Sequence, residues 1–177
     1  MRQAGRWALL GSEEIPLEEN AVGRVLSEPA WAKISSPHYH ASAMDGFAVL
    51  AASTDNAMPN APVTLFCCPQ QGFPQMVYVD TGDPLPDWAD AVIPIENVEP
   101  LDEVTESVGL LQPAADIRRS FAVRIRAGVT PWSHVRPIGE DMVATQLVLP
   151  AGHTLRPVDL GALAASGHSQ LKVARKP

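Results

Sequence analysis

Asp45 stands alone among small and apolar neighbours in Ser42-Ala43-Met44-Asp45-Gly46. A lone carboxylate at a strand start, close to a serine hydroxyl, can present itself to a metal or to an anion site. Asp-Gly is equally a common turn. Asp80-Thr81-Gly82-Asp83 follows the apolar Val77-Tyr78-Val79 and reads as a glycine turn after a strand. Gly139-Glu140-Asp141 places adjacent carboxylates on a glycine loop. Each could give one oxygen to Mg2+, with waters completing the octahedron, or the pair could serve a turn or a helix cap. Arg118, Arg119, Arg124, Arg126 and Arg136 put five guanidinium groups within nineteen residues, and arginine is suited to bidentate anion capture. If Phe121, Val123 and Ile125 face a core, Arg124 and Arg126 share the opposite, solvent face. His38 and His40 have the spacing that puts both rings on one face of a strand. With Asp45 as the only close acid, they do not complete a zinc set. The glycine-rich patterns that cradle phosphates are absent.

Several elements must position these groups. Pro16–Leu26 reads as a helix: Pro16 suits the first position, Glu18 and Glu19 the first turn, and Leu17, Ala21, Val22, Val25 and Leu26 one face. Arg6–Leu10 is apolar enough to end another helix. Strands are expected at Ala30–Ile34, Gly46–Ala51, Val63–Cys68, Met76–Val79, Ala91–Ile95, Val108–Leu111, Phe121–Ile125, Leu147–Leu149 and Gln170–Val173, separated by Gly, Pro and Asn-rich turns. A second helix is expected over Pro157–Ser166, with Gly167 in the place of a C′ glycine. Close spacing of short strands signals a small β sandwich or barrel. The layout is α+β with an inserted all-β module: an α+β domain from 12–50 plus 133–177, interrupted by a β-rich domain over 51–132.

Composition sets limits on function. The chain has 177 residues, enough to bury a core without disulfides or a structural metal. Its two cysteines, Cys67 and Cys68, are neighbours, where a disulfide would be strained; a reducing compartment, the cytoplasm, is the simplest reading. No apolar run approaches the roughly 20 residues that span a bilayer, so no membrane partner is expected. The net charge is -7, and between Ile34 and Ile117 there are twelve Asp and Glu but no Lys or Arg. That stretch forbids the basic stripe of a nucleic-acid binder. The seventeen prolines are scattered between apolar stretches, as punctuation rather than as a tail.

Taken in order, the motifs resemble one family. Ser42-Ala43-Met44-Asp45-Gly46-Phe47-Ala48-Val49 is similar to the S-A-M-D-G-[YF]-A-V signature of the MoeA family of molybdopterin molybdenumtransferases, which includes the gephyrin E domain. Thr81-Gly82-Asp83-Pro84-Leu85-Pro86 through Ile93 resembles its T-G-x-x-[VL]-P-x-G-A-D-A-V-[VI] stretch. Arg136-x-x-Gly139-Glu140-Asp141 resembles its R-x-x-G-E-D element, and Leu17-Glu18-Glu19 to Leu26 its leading segment. The likeness runs from about Ile15 to Val173.

The resemblance implies an α+β domain with a bifurcated sheet and an inserted β-barrel-like domain. It implies an enzyme that inserts molybdenum from molybdate into adenylylated molybdopterin, with Mg2+, releasing AMP, and that works as a homodimer. It assigns Asp45, Thr81 and Asp141 to the active site, with Asp45 and Asp141 toward Mg2+ and with Arg136, Glu140 and Ser42 toward the anionic substrate. Pro137 and Ile138 stand where the family often has arginines, and Pro37-His38-Tyr39-His40-Ala41 replaces its usual P-x-F-x-x loop. The family's downstream α/β domain is not in this sequence, so the segment by itself is expected to lack turnover. One alternative is a non-catalytic molybdopterin-binding or dimerisation module. A remote one is a dimeric aspartic-type protease, because Asp80-Thr81-Gly82 after apolar residues resembles the loop in which two carboxylates share a proton.

Overall fold

The computed structural model describes residues 11–68, 72–103 and 110–176. In chain order the elements are β1 (Ser12–Pro16), β2 (Ala30–Trp31), β3 (Ala41–Ser42), β4 (Gly46–Val49), β5 (Val63–Phe66), β6 (Met76–Val79), β7 (Ala91–Pro94), β8 (Val98–Glu103), β9 (Leu111–Pro113), β10 (Ala122–Ile125), β11 (Val135–Arg136), β12 (Leu147–Leu149), α1 (Pro157–Ala165) and β13 (Gln170–Ala174). The described chain is therefore mostly β with one α-helix. Backbone contacts divide it into a flanking unit, Met1–His38 with Ile138–Pro177, and an inserted unit, Tyr39–Pro137.

In the flanking unit β1 pairs antiparallel with β13, from Ser12↔Ala174 to Pro16↔Gln170. Leu171 and Val173 of β13 are buried while Gln170 and Lys172 are exposed, the period-2 alternation of a strand with one face on a core. β2 pairs with β12. The core is Ala21, Leu26, Ala30, Leu155, Leu163, Leu171 and Val173. α1 starts with proline at its N-terminus and Asp159 at N3; Asp159 Oδ2 accepts the Arg156 N–H at 2.8 Å and Oδ1 the Arg156 guanidinium at 2.8 Å. Those bonds satisfy the orphan donor at the helix start and tie its first turn to the preceding loop. Gly167 follows the helix at φ +85°, a conformation that glycine adopts without penalty.

The helix expected over Pro16–Leu26 is not formed. Glu19–Ala21 makes one 3₁₀ turn, and Gly23 at φ +79° ends it. Val25 then bridges to Thr154 and Leu26 to Val173. A helix of about ten residues has little stability of its own, so pairing with 153–155 and 172–174 and burial of Ala21 and Leu26 decide the backbone.

Among the described residues the inserted unit holds three antiparallel sheets. β5-β10-β8-β9 form a four-stranded sheet, β6-β4-β7 a three-stranded sheet, and β3 pairs with β11. β4 is central and every residue of it is buried. Phe47 and Val49 face a core with Leu65, Met76, Ile93, Val123 and Ile125, and Ala48 faces Val79 and Val92 on the other side. Burial on both faces is why Gly46-Phe47-Ala48-Val49 lacks polar alternation. The unit boundaries fall at 38/39 and 137/138 rather than at 50/51 and 132/133. The reason is β4: it is hydrogen-bonded to β6 and β7 along its whole length, so it belongs with the inserted strands.

The expected strands agree in place with β2, β4–β7, β10, β12 and β13, with ends shifted by a few residues. Within the Val108–Leu111 expectation, Val108 and Gly109 lie outside the described residues, as do Pro69–Gln71 and the Arg6–Leu10 segment. Cys67 and Cys68 are both free thiols. Among the described residues no helix is long and apolar enough to cross a membrane.

Candidate functional site

The Asp45 loop is built by β3, the turn Ala43–Asp45 and β4. Ser42 is fully buried; its hydroxyl donates to the Met44 carbonyl at 2.5 Å. This closes the turn that turns Asp45 outward. The Ser42 hydroxyl, expected toward the anionic substrate, lies inside the turn and shapes the loop. Ile95 N–H donates to the Asp45 carbonyl at 3.1 Å, which ties the loop to the end of β7. Gly46 is required by packing, because a Cβ there would sit 2.9 Å from the Ile93 carbonyl carbon and closer still to its oxygen.

The second loop follows β6. Asp80 N–H donates to Asp83 Oδ2 at 2.9 Å and Asp83 N–H to the Asp80 carbonyl at 3.0 Å, a turn completed by Gly82 at φ +93°. Gly82 N–H donates to the Ser42 carbonyl and Ser42 N–H to the Asp83 carbonyl, both at 2.9 Å. These bonds lock the two loops side by side.

The outcome is a direct contact between two residues 36 positions apart. Asp45 Oδ1 accepts the Thr81 backbone N–H and the Thr81 hydroxyl, each at 2.7 Å. The Thr81 hydroxyl bond, then its backbone N–H, then the positive charge of Arg118 hold the Asp45 carboxyl below the usual carboxylate range. Both residues are exposed, so an ionised carboxylate and a fixed hydroxyl face solvent together.

Asp80, beside Thr81, has partners of its own. Its Oδ1 accepts the Tyr78 hydroxyl at 2.9 Å and the Arg118 guanidinium at 3.1 Å. Both contacts come from a tyrosine and an arginine, not from a second carboxylate, and they give the protease reading no support. The Arg118 guanidinium also lies 5.5 Å from the Tyr78 ring centroid. Sequence reasoning did not place Arg118 here; its signal was its position as the first cation after the long acidic stretch.

Arg136 lies on β11, opposite Ala41 and one position from the Val135↔Ser42 pair. It is half-buried, on the ladder that leads into the Asp45 loop. Glu140 and Asp141 belong to the flanking unit and are exposed. Asp141 N–H donates to the Ser36 carbonyl at 2.9 Å, and Gly139, at φ +78°, donates to the Pro37 carbonyl at 2.9 Å. The structure thus brings Asp45, Thr81 and the Arg136 ladder into one unit and carries Asp141 and Glu140 on the other. Arg124 of β10 and Arg126, just after it, both pair with Glu99 of the neighbouring β8, at 3.3 and 2.8 Å. The His40 ring packs edge-on to Trp132 at 4.9 Å. Among the described residues no group of three His, Cys, Asp or Glu is arranged to hold a metal ion.

Residues 2–167 match the family described as MoeA N-terminal region (domain I and II). The chain is 34% identical over 169 residues to molybdopterin molybdenumtransferase 2 of Mycobacterium tuberculosis, covering 90% of this chain and 37% of the relative. It is 28% identical to the molybdopterin molybdenumtransferase of Bacillus subtilis, covering 94% of this chain and 38% of that protein. The chain thus spans well under half the length of these curated relatives. The crystal structure of a molybdopterin biosynthesis MoeA protein from Pyrococcus horikoshii superposes with a TM-score of 0.77 at 26% identity, over 99% of this chain and 43% of that one. With the family match running through nearly the whole chain, and the signature aspartate and threonine in contact, the chain belongs to the MoeA N-terminal family.

Proposed function

We propose that this chain contributes to molybdenum cofactor biosynthesis as part of a molybdopterin molybdenumtransferase, the activity named for its relatives in Mycobacterium tuberculosis and Bacillus subtilis. The observation that carries the reading is the double hydrogen bond from Thr81 to Asp45. One family-motif residue, Thr81, donates twice to the exposed carboxylate of another, Asp45, 36 positions away. The substrates in this reading are adenylylated molybdopterin and molybdate, with AMP released.

The donor chemistry fits magnesium in its usual mode. Mg2+ takes one or two carboxylates and completes its shell with waters and substrate phosphates, so a three-residue protein cage is not needed. Asp45 has one carboxylate oxygen held by Thr81; its other oxygen is the proposed ligand. Magnesium would neutralise phosphate charge, and Thr81 would fix the carboxylate proposed to hold it. Arg136 is proposed to support the loop and the anionic substrate; for Asp141 and Glu140 the support is their place in the Arg136-x-x-Gly139-Glu140-Asp141 motif. The reading includes a homodimer in the cytoplasm. Because the relatives extend far beyond the matched part, molybdenum insertion is proposed to require those further parts, with this chain supplying binding.

The test is molybdopterin binding by pterin fluorescence, with and without Mg2+, for the wild type and for Asp45→Asn and Thr81→Val. Binding that is Mg2+-dependent and weakened by both substitutions supports the reading. No binding by the wild type, or binding indifferent to both changes, overturns it.

A further inference from the structure

Arg118 is placed with unusual care for an exposed side chain. Its backbone N–H is fixed by Asp116 Oδ1 at 3.0 Å in the Ile117–Arg119 3₁₀ turn. Its head group is held by Asp80 at 3.1 Å and lies over the Tyr78 ring, yet the side chain is 63% exposed. Asp80 accepts from one of the five guanidinium N–H donors, which leaves a planar fork largely open to solvent. Asp80 is the neighbour of Thr81, and Thr81 is bonded to Asp45.

Asp45, Asp80 and Asp83 put three carboxylates on these two loops. An anionic ligand approaching Asp45 meets their repulsion unless a cation sits within the same cluster. Arg118 is a cation that the chain itself sets within this cluster, in addition to the magnesium proposed above, and its charge acts on the Asp45 carboxyl. From this geometry we infer that Arg118 is a further anion-contacting residue of the Asp45–Thr81 site, with its guanidinium fork receiving a phosphate or oxyanion of the bound substrate. Asp80 and Tyr78 act as positioning residues: they hold the fork beside the site while leaving its outer N–H donors to the ligand. The inference rests on the molybdopterin reading given above and adds a binding residue to it.

The experiment titrates the full chain with molybdopterin, in Mg2+, at low and high KCl. The proteins are wild type, Arg118→Ala, Arg118→Lys and Thr81→Val, each checked by thermal melting. An exposed ion pair adds little to stability, so Arg118→Ala is expected to melt like the wild type. Loss of a charged contact to phosphate is expected to weaken binding about tenfold or more. Arg118→Lys should recover part of that loss, and the salt dependence should flatten in Arg118→Ala. A merely structural arginine would produce neither the lysine rescue nor the change in salt dependence. If Thr81→Val weakens binding while Arg118→Ala binds within twofold of wild type, the Arg118 role is overturned and the molybdopterin reading stands. If the wild type does not bind, both fall together.

Discussion

Gly46→Ala tests whether the Asp45 loop is held by close approach of backbone to backbone. The added methyl would lie 2.9 Å from the Ile93 carbonyl carbon and 3.1 Å from the Pro94 Cα, and nearer still to the Ile93 carbonyl oxygen. All three are backbone atoms, so no rotamer change relieves the overlap. β4 must move about an ångström from β7 or give up part of its pairing, in a core packed like a solid. Overpacking of this kind costs about 1–3 kcal/mol, and each net backbone hydrogen bond lost adds about 1 kcal/mol. Because β4 is buried on both faces and central in its sheet, the upper end applies, about 3 kcal/mol or more. For a chain of this size that corresponds to a fall in Tm of about 6–12 °C, read by circular dichroism. The same displacement carries Asp45 away from Thr81, so the Asp45 carboxyl should titrate closer to the ordinary aspartate range, read by NMR. Gly23→Ala is the comparison: nothing lies within 4 Å, and its φ of +79° alone makes the cost, about 1–2 kcal/mol. A Gly46→Ala protein melting within about 2 °C of wild type would refute the packing argument. A large fall in Tm with Asp45 titrating unchanged would refute the coupling of that packing to the site.

Other outcomes follow from the same contacts. Thr81→Val removes the larger of the two hydrogen-bond effects on Asp45, so its carboxyl should titrate higher than in the wild type; an unmoved titration would contradict the contact. Asp159 is held well below the ordinary range by the Arg156 side chain and then by His153. A depressed folded-state carboxyl stabilises above its unfolded value of roughly 4, and that stability is lost as pH falls through the folded value. Asp159→Asn should therefore lower Tm near neutral pH, with the gap to wild type closing in strong acid; a constant gap would count against it. Leu163→Ala, in the flanking core, should cost about 2–5 kcal/mol by urea unfolding, and a change below about 1 kcal/mol would show the site to be less packed than described.

Much of this protein is legible along the chain because much of it is local. Alternation in Gln170–Ala174 and the proline and glycine bracketing α1 act over a few residues, and both elements form where those signals put them. The apolar runs of β4, β6, β7 and β10 likewise carry their own strand preference. The Asp45 and Thr81 motifs were legible as candidates because the residue types and their order are local features.

What the tertiary structure decided is long-range pairing. Leu17–Leu26 carries a helical pattern, but its backbone is taken by partners more than a hundred residues away, such as Thr154 and Val173. Such pairing leaves no periodic trace in the segment itself, and it outweighs a propensity worth tenths of a kcal/mol per residue. Chain order places β4 beside the flanking segments, while its hydrogen bonds run to β6 and β7 of the inserted unit. The resemblance sets Ser42 toward the substrate, and only the fold shows its buried hydroxyl closing the turn before Asp45. Arg118 read as one arginine of five. Only the fold, by laying the Ile117–Arg119 turn against the end of β6, sets its charge beside the carboxylates of the Asp45 site.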